Sequence, residues 1–217
     1  MNKENPFADN TDYEQENKNN MAYWFPLLKQ IRMRVPKTIL VHTGDCELSP
    51  MADGENPINF EPFLTRLKSA IKEIGLPCFL RTGATSDKHS WKDTCYIESL
   101  DDRYLDNHIA KLVETSYMAN IAGLPLDFSI WAVRELIPTE PLFHAFNDMP
   151  ITKERRLFIK NGEVICNHPY WPEEAFEHYK KDEDWKNEML ALQDLPEEDE
   201  IELAKMAEYV GKFFTGY

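Results

Sequence analysis

Arg81, Gly83, Ser86, Lys88 and Lys92 fall within one short stretch, RTGATSDKHSWK. Arginine presents a rigid fork of donors that fits oxyanions, lysine brings a mobile point charge, and a Gly/Ser/Thr-rich turn offers backbone N–H groups. Together they suit a phosphate group. The same residues would also serve as ordinary exposed cations of a surface loop, and the stretch lacks the GxxxxGK pattern of a Walker loop.

Two further groupings carry chemistry. WAVRELIP, residues 131–138, is an apolar run interrupted by Arg134 and Glu135, with Leu136 following and Pro138 ending it. A strand leaving a sheet in this way gives a flat base both backbone hydrogen bonds and apolar walls. In KERRLFIKNGEV, residues 153–164, strand alternation puts Glu154 and Arg156 on one face and Arg155 and Leu157 on the other. A carboxylate and a guanidinium then share a pocket. The six histidines are scattered without metal-ligand spacing and read as ordinary surface or core residues. His168, just after the predicted hairpin, is the one singled out for substrate contact. No serine sits in a G-x-S-x-G elbow.

The elements that must position these groups follow from periodicity and punctuation. Residues 1–20 are rich in Asn, Asp and Glu and read as a flexible lead-in. Order begins near Met21. Thr38 to His42 is a β-branched strand, and Phe60, Phe63, Leu64, Leu67, Ile71 and Ile74 recur at helical period between Asn59, a predicted N-cap, and Gly75. Pro77–Arg81 and Thr94–Ile97 are predicted strands on either side of the basic loop, and Asp101–Asn120 is a predicted helix. Phe128–Leu136 and Leu142–Phe146 read as strands, and 155–160 with 164–167 as a hairpin about Asn161-Gly162. Two helices follow: Pro172 to about Leu192, and one opening at Pro196-Glu197-Glu198. The expected organisation is a lead-in over 1–20, a lobe over 21–130 and a second lobe over 131–217.

At 217 residues with 42% apolar content, the chain can bury a real core. Its 24 Lys and Arg against 38 Asp and Glu give a formal charge of −14, which argues against nucleic acid as a partner. No apolar run approaches a membrane span, no leader is apparent, and the four cysteines lack any CxxC pair. A cytoplasmic protein with reduced thiols is expected.

Taken in order, WFPLLKQIRMRVPKTILV, FLTRLKSAIKEIGLPCFLRTG, SWKDTCYI, AVRELIP and KERRLFIKNGEVICN resemble the ATP-grasp proteins. Within these they are similar to the phage and bacterial clade named for one arginine and two lysines, and to the related eukaryotic chaperone family that assembles the second translation initiation factor. The resemblance spans roughly residues 22–170. It implies an α/β (α+β) two-lobed fold with the nucleotide between two mixed or antiparallel sheets flanked by helices. It implies ATP and Mg2+ as cofactors, with Arg81 on phosphate, Lys88 and Lys92 covering it, Arg134, Glu135 and Leu136 beside the base or ribose, and Glu154 and Arg156 facing the nucleotide.

The activity so implied is that of an ATP-dependent carboxylate–amine ligase working through an acyl phosphate. Arg81, Lys88 and Arg156 would neutralise the transferring phosphoryl group, and the acceptor would be a small molecule, peptide or protein. A non-enzymatic ATP-dependent assembly chaperone, with a protein partner, is the alternative. One departure stands out. The family continues past its last helices into strands whose acidic residues hold magnesium, whereas this sequence stops at Tyr217; a truncated form is the favoured expectation, and a protein that binds ATP without strong catalysis is the alternative.

Overall fold

A computed structural model describes residues 18–124, 126–179 and 185–214. The chain forms two compact units: one from the residues up to Asp87 together with Asp93–Leu136, the other from Lys88–Lys92 together with the residues from Ile137 onward. Most of the expected lead-in, residues 1–17, lies outside the described residues. Its last residue, Asn20, is 3% exposed and belongs to the core instead.

In the first unit, helix α1 (Met21–Gln30) starts at Asn20, whose side chain accepts the Ala22 N–H at 2.9 Å. The Asn20 amide also donates to Asp127 at 3.2 Å. Strands β1 (Thr38–His42), β2 (Cys78–Thr82), β3 (Tyr96–Ile97) and β4 (Ile130–Glu135) form one antiparallel sheet in the order β1-β4-β2-β3. Helices α2 (Phe60–Ile74) and α3 (Asp102–Ile121) complete the unit.

β4 is central and apolar, with Ile130 to Val133 buried. Alternation gives its two faces separate duties. Trp131 and Val133 face α2, where Phe63 lies 5.7 Å from Trp131, ring to ring. The α2 stripe Phe63, Leu64, Leu67, Ala70 and Ile71 is buried, and each large side chain contributes roughly 1.5–3 kcal/mol of burial. The opposite face receives Met21 and Phe25 of α1 against Ala132, with Leu40 packed beside them.

Asn59 precedes α2 as expected but makes no side-chain cap. Its backbone is left-handed, at φ 61°, a region that Asn tolerates; the amide reaches back to the Asp45 carbonyl at 3.4 Å. Asp101 does cap α3, accepting the Tyr104 N–H at 3.0 Å.

In the second unit, β5 (Phe143–Ala145) pairs with β6 (Met149–Ile151), and β7 (Arg155–Lys160) pairs with β8 (Glu163–Pro169). The β7–β8 turn is Asn161-Gly162, at φ 54° and 83°, the geometry a two-residue hairpin requires. In place of one helix from Pro172 to Leu192 there is a 3-10 helix, Glu173–Tyr179, and then α4 (Trp185–Gln193). The tighter turn seats Phe176 against Phe143, Phe146 and Trp171, at 5.2–5.7 Å between ring centroids. Helix α5 (Glu197–Gly211) follows, with four acids in its first turn. Glu200 on α5 pairs with Arg155 at 2.7 Å and fixes which face of the hairpin is covered.

Candidate functional site

The basic stretch is divided between the two units. Arg81, Gly83 and Ser86 belong to the first, Lys88 to Lys92 to the second. The expected cradle of backbone donors is not formed at Gly83 or Thr85. The Gly83 N–H is given to the Ile130 carbonyl at 2.6 Å and the Thr85 N–H to the Thr82 hydroxyl at 2.9 Å. Gly83 is there for close packing: a Cβ would collide with the Asn20 side-chain oxygen. At these two positions the segment offers an anion no backbone donor.

Within the first unit, Arg81 on β2 pairs in register with Ala132 on β4, and Arg134 with Phe79. Phe79, Arg81, Ala132 and Arg134 therefore share one face of the sheet. Arg81 is half-buried, and its Nε donates to the Thr82 carbonyl at 2.9 Å. Arg134 lies 5.8 Å over the Phe79 ring. Its Nε is buried without a hydrogen-bond partner, and burial pushes its pKa down. A desolvated guanidinium with an unsatisfied donor costs stability unless an acceptor reaches it. A nucleotide's oxygens or ring nitrogens fit that need.

Glu135 points to the other face, and its carboxylate accepts the Lys37 N–H at 2.7 Å. Leu136, half-buried, ends the first unit.

Within the second unit, Lys88, Glu154 and Arg156 come together around Tyr170. Lys88 Nζ lies 5.1 Å from the centre of the Tyr170 ring and the Arg156 guanidinium 4.5 Å from it. Glu154 is 4.0 Å from Lys88 Nζ, and its other oxygen accepts from Thr152 and from Trp171 Nε1, each at 3.4 Å. The Tyr170 N–H donates to the Glu154 carbonyl at 2.8 Å, which continues the hairpin pairing by one step. Among the described residues Arg156 forms no ion pair. Its exposed fork is open to an anion.

The segment carrying Lys88 is anchored by its neighbour. The His89 ring is 4.4 Å from Phe146, which stacks on Trp171 at 5.5 Å. Phe146, Asn147 and Asp148 all have left-handed backbones, at φ 49°, 60° and 68°. Such a turn is unusual for a bulky residue and persists because Phe146 is buried. Lys92 pairs with Asp148 of this turn at 2.5 Å, and that contact holds the Asp148 carboxyl below the usual carboxylate range. His168, the residue singled out for substrate contact, stacks on Phe158 at 5.6 Å and bonds through Nδ1 to the Pro169 carbonyl at 2.6 Å.

Tyr170 and Trp171 are missed by sequence reasoning, although PYW directly after a predicted strand is the available signal. A cleft of about 490 Å³ in the first unit contains none of the expected site residues. It is lined by Asp45, Glu47 and Asp127, a charge that repels phosphate.

Among the described residues no group of three or more His, Cys, Asp or Glu side chains could hold a metal ion. No helix among them is long and apolar enough to cross a membrane.

Residues 72–211 match the model of an ATP-grasp domain, family 3 of the clade named for one arginine and two lysines. The chain belongs to this ATP-grasp family and is an ATP-binding protein of that type. All the expected site residues, and Tyr170, fall inside the match. No curated protein matches the chain. Among solved structures it is similar to C-terminally truncated Cdc123 from Schizosaccharomyces pombe, at 16% identity and TM-score 0.52 over 92% of this chain and 76% of that one. It is also similar to Cdc123 from the same organism, at 15% identity and TM-score 0.54 over 92% and 75%. At such identities the likeness is one of fold, a mixed α+β fold with antiparallel sheets.

Proposed function

We propose that this protein is an ATP-dependent carboxylate–amine ligase that binds the nucleotide's phosphates with Lys88 and Arg156, assisted by Arg81 and Lys92, and its base or ribose with Arg134, Leu136 and, since the Glu135 carboxylate is turned to the other face, the backbone of Glu135. The observation that carries this is the pair of cations, Lys88 and Arg156, held beside Glu154 on one aromatic ring, in a chain of the ATP-grasp family. The acceptor is a small molecule, a peptide or a protein.

The reaction needs little covalent chemistry from the protein. A substrate carboxylate oxygen attacks the γ-phosphorus and ADP leaves, giving an acyl phosphate. An amine then attacks the acyl carbon, inorganic phosphate leaves, and the nitrogen loses a proton as the amide forms. Fixed cations aimed at the charge growing on the phosphoryl oxygens stabilise the first step, and positioning supplies most of the rest. Mg2+ supplies charge neutralisation in such reactions when bound.

The five-segment resemblance to the eukaryotic assembly chaperone supports a second reading, an ATP-loaded binding module without turnover. Phosphate release and hydroxamate trapping separate the two. ATP consumed only when a carboxylic acid is present, with hydroxylamine capturing the acyl phosphate, is the ligase outcome. ATP bound with no phosphate released over a panel of acids and amines contradicts ligation and leaves the binding module.

A further inference from the structure

We propose that Tyr170 is a positioning residue of the nucleotide site, whose ring holds Lys88 and Arg156 in place for an incoming polyphosphate. Its role rests on the ATP reading above. The two cations come from distant parts of the chain: Lys88 from the five-residue segment that joins the second unit, Arg156 from β7. Both lie within 5.1 Å of the same ring centre. Two like charges gathered on one ring repel, and both side chains carry many rotamers. The negative ring face offsets the repulsion without consuming N–H donors, as a second carboxylate would. The donors of the Arg156 fork thus remain available while its direction is set, so less freedom is lost when phosphate arrives.

Backbone register explains why residue 170 does this. Arg155 pairs with Pro169, and Tyr170 N–H reaches the Glu154 carbonyl at 2.8 Å. The ring is thereby tied to the residue that faces Lys88 and to the neighbour of Arg156. Aromatic contacts on the other side fix it further: Tyr170 and Trp171 meet edge to face at 4.8 Å.

The test replaces Tyr170 in the full chain and reads ATP affinity by calorimetry. Tyr170→Phe keeps the ring and is expected to bind ATP within about twofold of wild type, whereas Tyr170→Leu weakens binding about tenfold. In an Arg156→Ala, Lys88→Ala background, Tyr170→Leu is expected to add nothing further, because the ring acts only through those cations. Ring-fluorinated phenylalanines installed at 170 weaken the ring's negative face at nearly constant shape, and affinity should fall stepwise with fluorine number. That series stays decisive if Tyr170→Leu fails to fold.

Flat affinity across the fluorinated series, or equal losses in both backgrounds, overturns the role of Tyr170 while an Arg156→Ala loss leaves the ATP reading standing. A wild-type chain that binds no ATP overturns both.

Discussion

Arg134 lies 5.8 Å over the Phe79 ring with its Nε buried and unpartnered. The charge is desolvated, its pKa is lowered by burial, and a donor is left without an acceptor. This is a stability liability that a bound ligand relieves. Arg134→Met, of similar length and without charge, is expected to raise the ligand-free melting temperature by about 2–4 °C, roughly 1 kcal/mol. The same variant should lose its stabilisation by ATP. A lower melting point with an intact ATP response would show that Arg134 serves the core and not the nucleotide.

Arg81 shares the sheet face of Arg134 and is half-buried near the end of β2. Arg81→Ala is expected to melt within about 1 kcal/mol of wild type and to lose the ATP-induced shift. Arg81→Lys keeps the charge but not the fork and should retain part of that shift. Unchanged ATP affinity in Arg81→Ala would remove this residue from the site.

Much of this architecture was legible in the sequence, for identifiable reasons. α2 and α3 announced themselves by apolar period, β1 by its β-branched run, and the β7–β8 hairpin by Asn161-Gly162. β6 was not read, because it is three residues long with Pro150 at its centre. With β6 hidden, the partner of Lys92, Asp148 in the β5–β6 turn, was hidden as well. The helical state of α1 was masked by Pro26 within it. Residue type and strand alternation singled out Lys88, Glu154 and Arg156, but that the two cations gather on one ring was not legible. Tyr170 comes opposite Glu154 because a bulge between Phe158 and Ile159 shifts the hairpin register, which the Asn161-Gly162 turn alone does not report. The engaged N–H of Gly83 is a long-range property, since its acceptor is Ile130 on another strand.

Gly83 is required by the close approach of Asn20. Gly83→Ala puts a methyl group against the Asn20 side chain and drives it off the α1 N-terminus. The expected destabilisation is about 1–3 kcal/mol by urea unfolding. Asn20→Ala removes both the cap and the Asp127 hydrogen bond but also the side chain that the new methyl group meets, so Gly83→Ala should cost far less in an Asn20→Ala background than in wild type. Equal costs of Gly83→Ala in the two backgrounds would contradict the steric account.

The thiols make a prediction independent of the site. Cys46, Cys78 and Cys95 are buried and Cys166 is exposed, and none of the four is in a disulfide. Burial pushes the Cys78 thiol up to about 12 and also raises Cys46, against a smaller opposing effect of Arg66. Thiolate being the reactive form, iodoacetamide at about pH 8 should label Cys166 alone in the native protein and all four in denaturant. A raised folded pKa means the neutral thiol is favoured by folding. That contribution is complete below the ordinary value of 9.0 and is lost as pH climbs toward 12. The slope of urea stability against pH above 9.0 should therefore be shallower in Cys78→Ala. Rapid native labelling of Cys78, or an identical slope, would contradict this.

The most direct test of the phosphate-binding cluster is calorimetric titration of ATP, inorganic triphosphate and adenosine into wild type, Lys88→Ala and Arg156→Ala. Wild type is expected to bind ATP and triphosphate, with ATP at about 100 times its Kd adding about 2.7 kcal/mol to stability. Each variant is expected to lose about tenfold or more in affinity for both, with adenosine unchanged. ATP binding of undiminished strength in both variants, or none in wild type, would contradict the assignment of Lys88 and Arg156 to the nucleotide's phosphates.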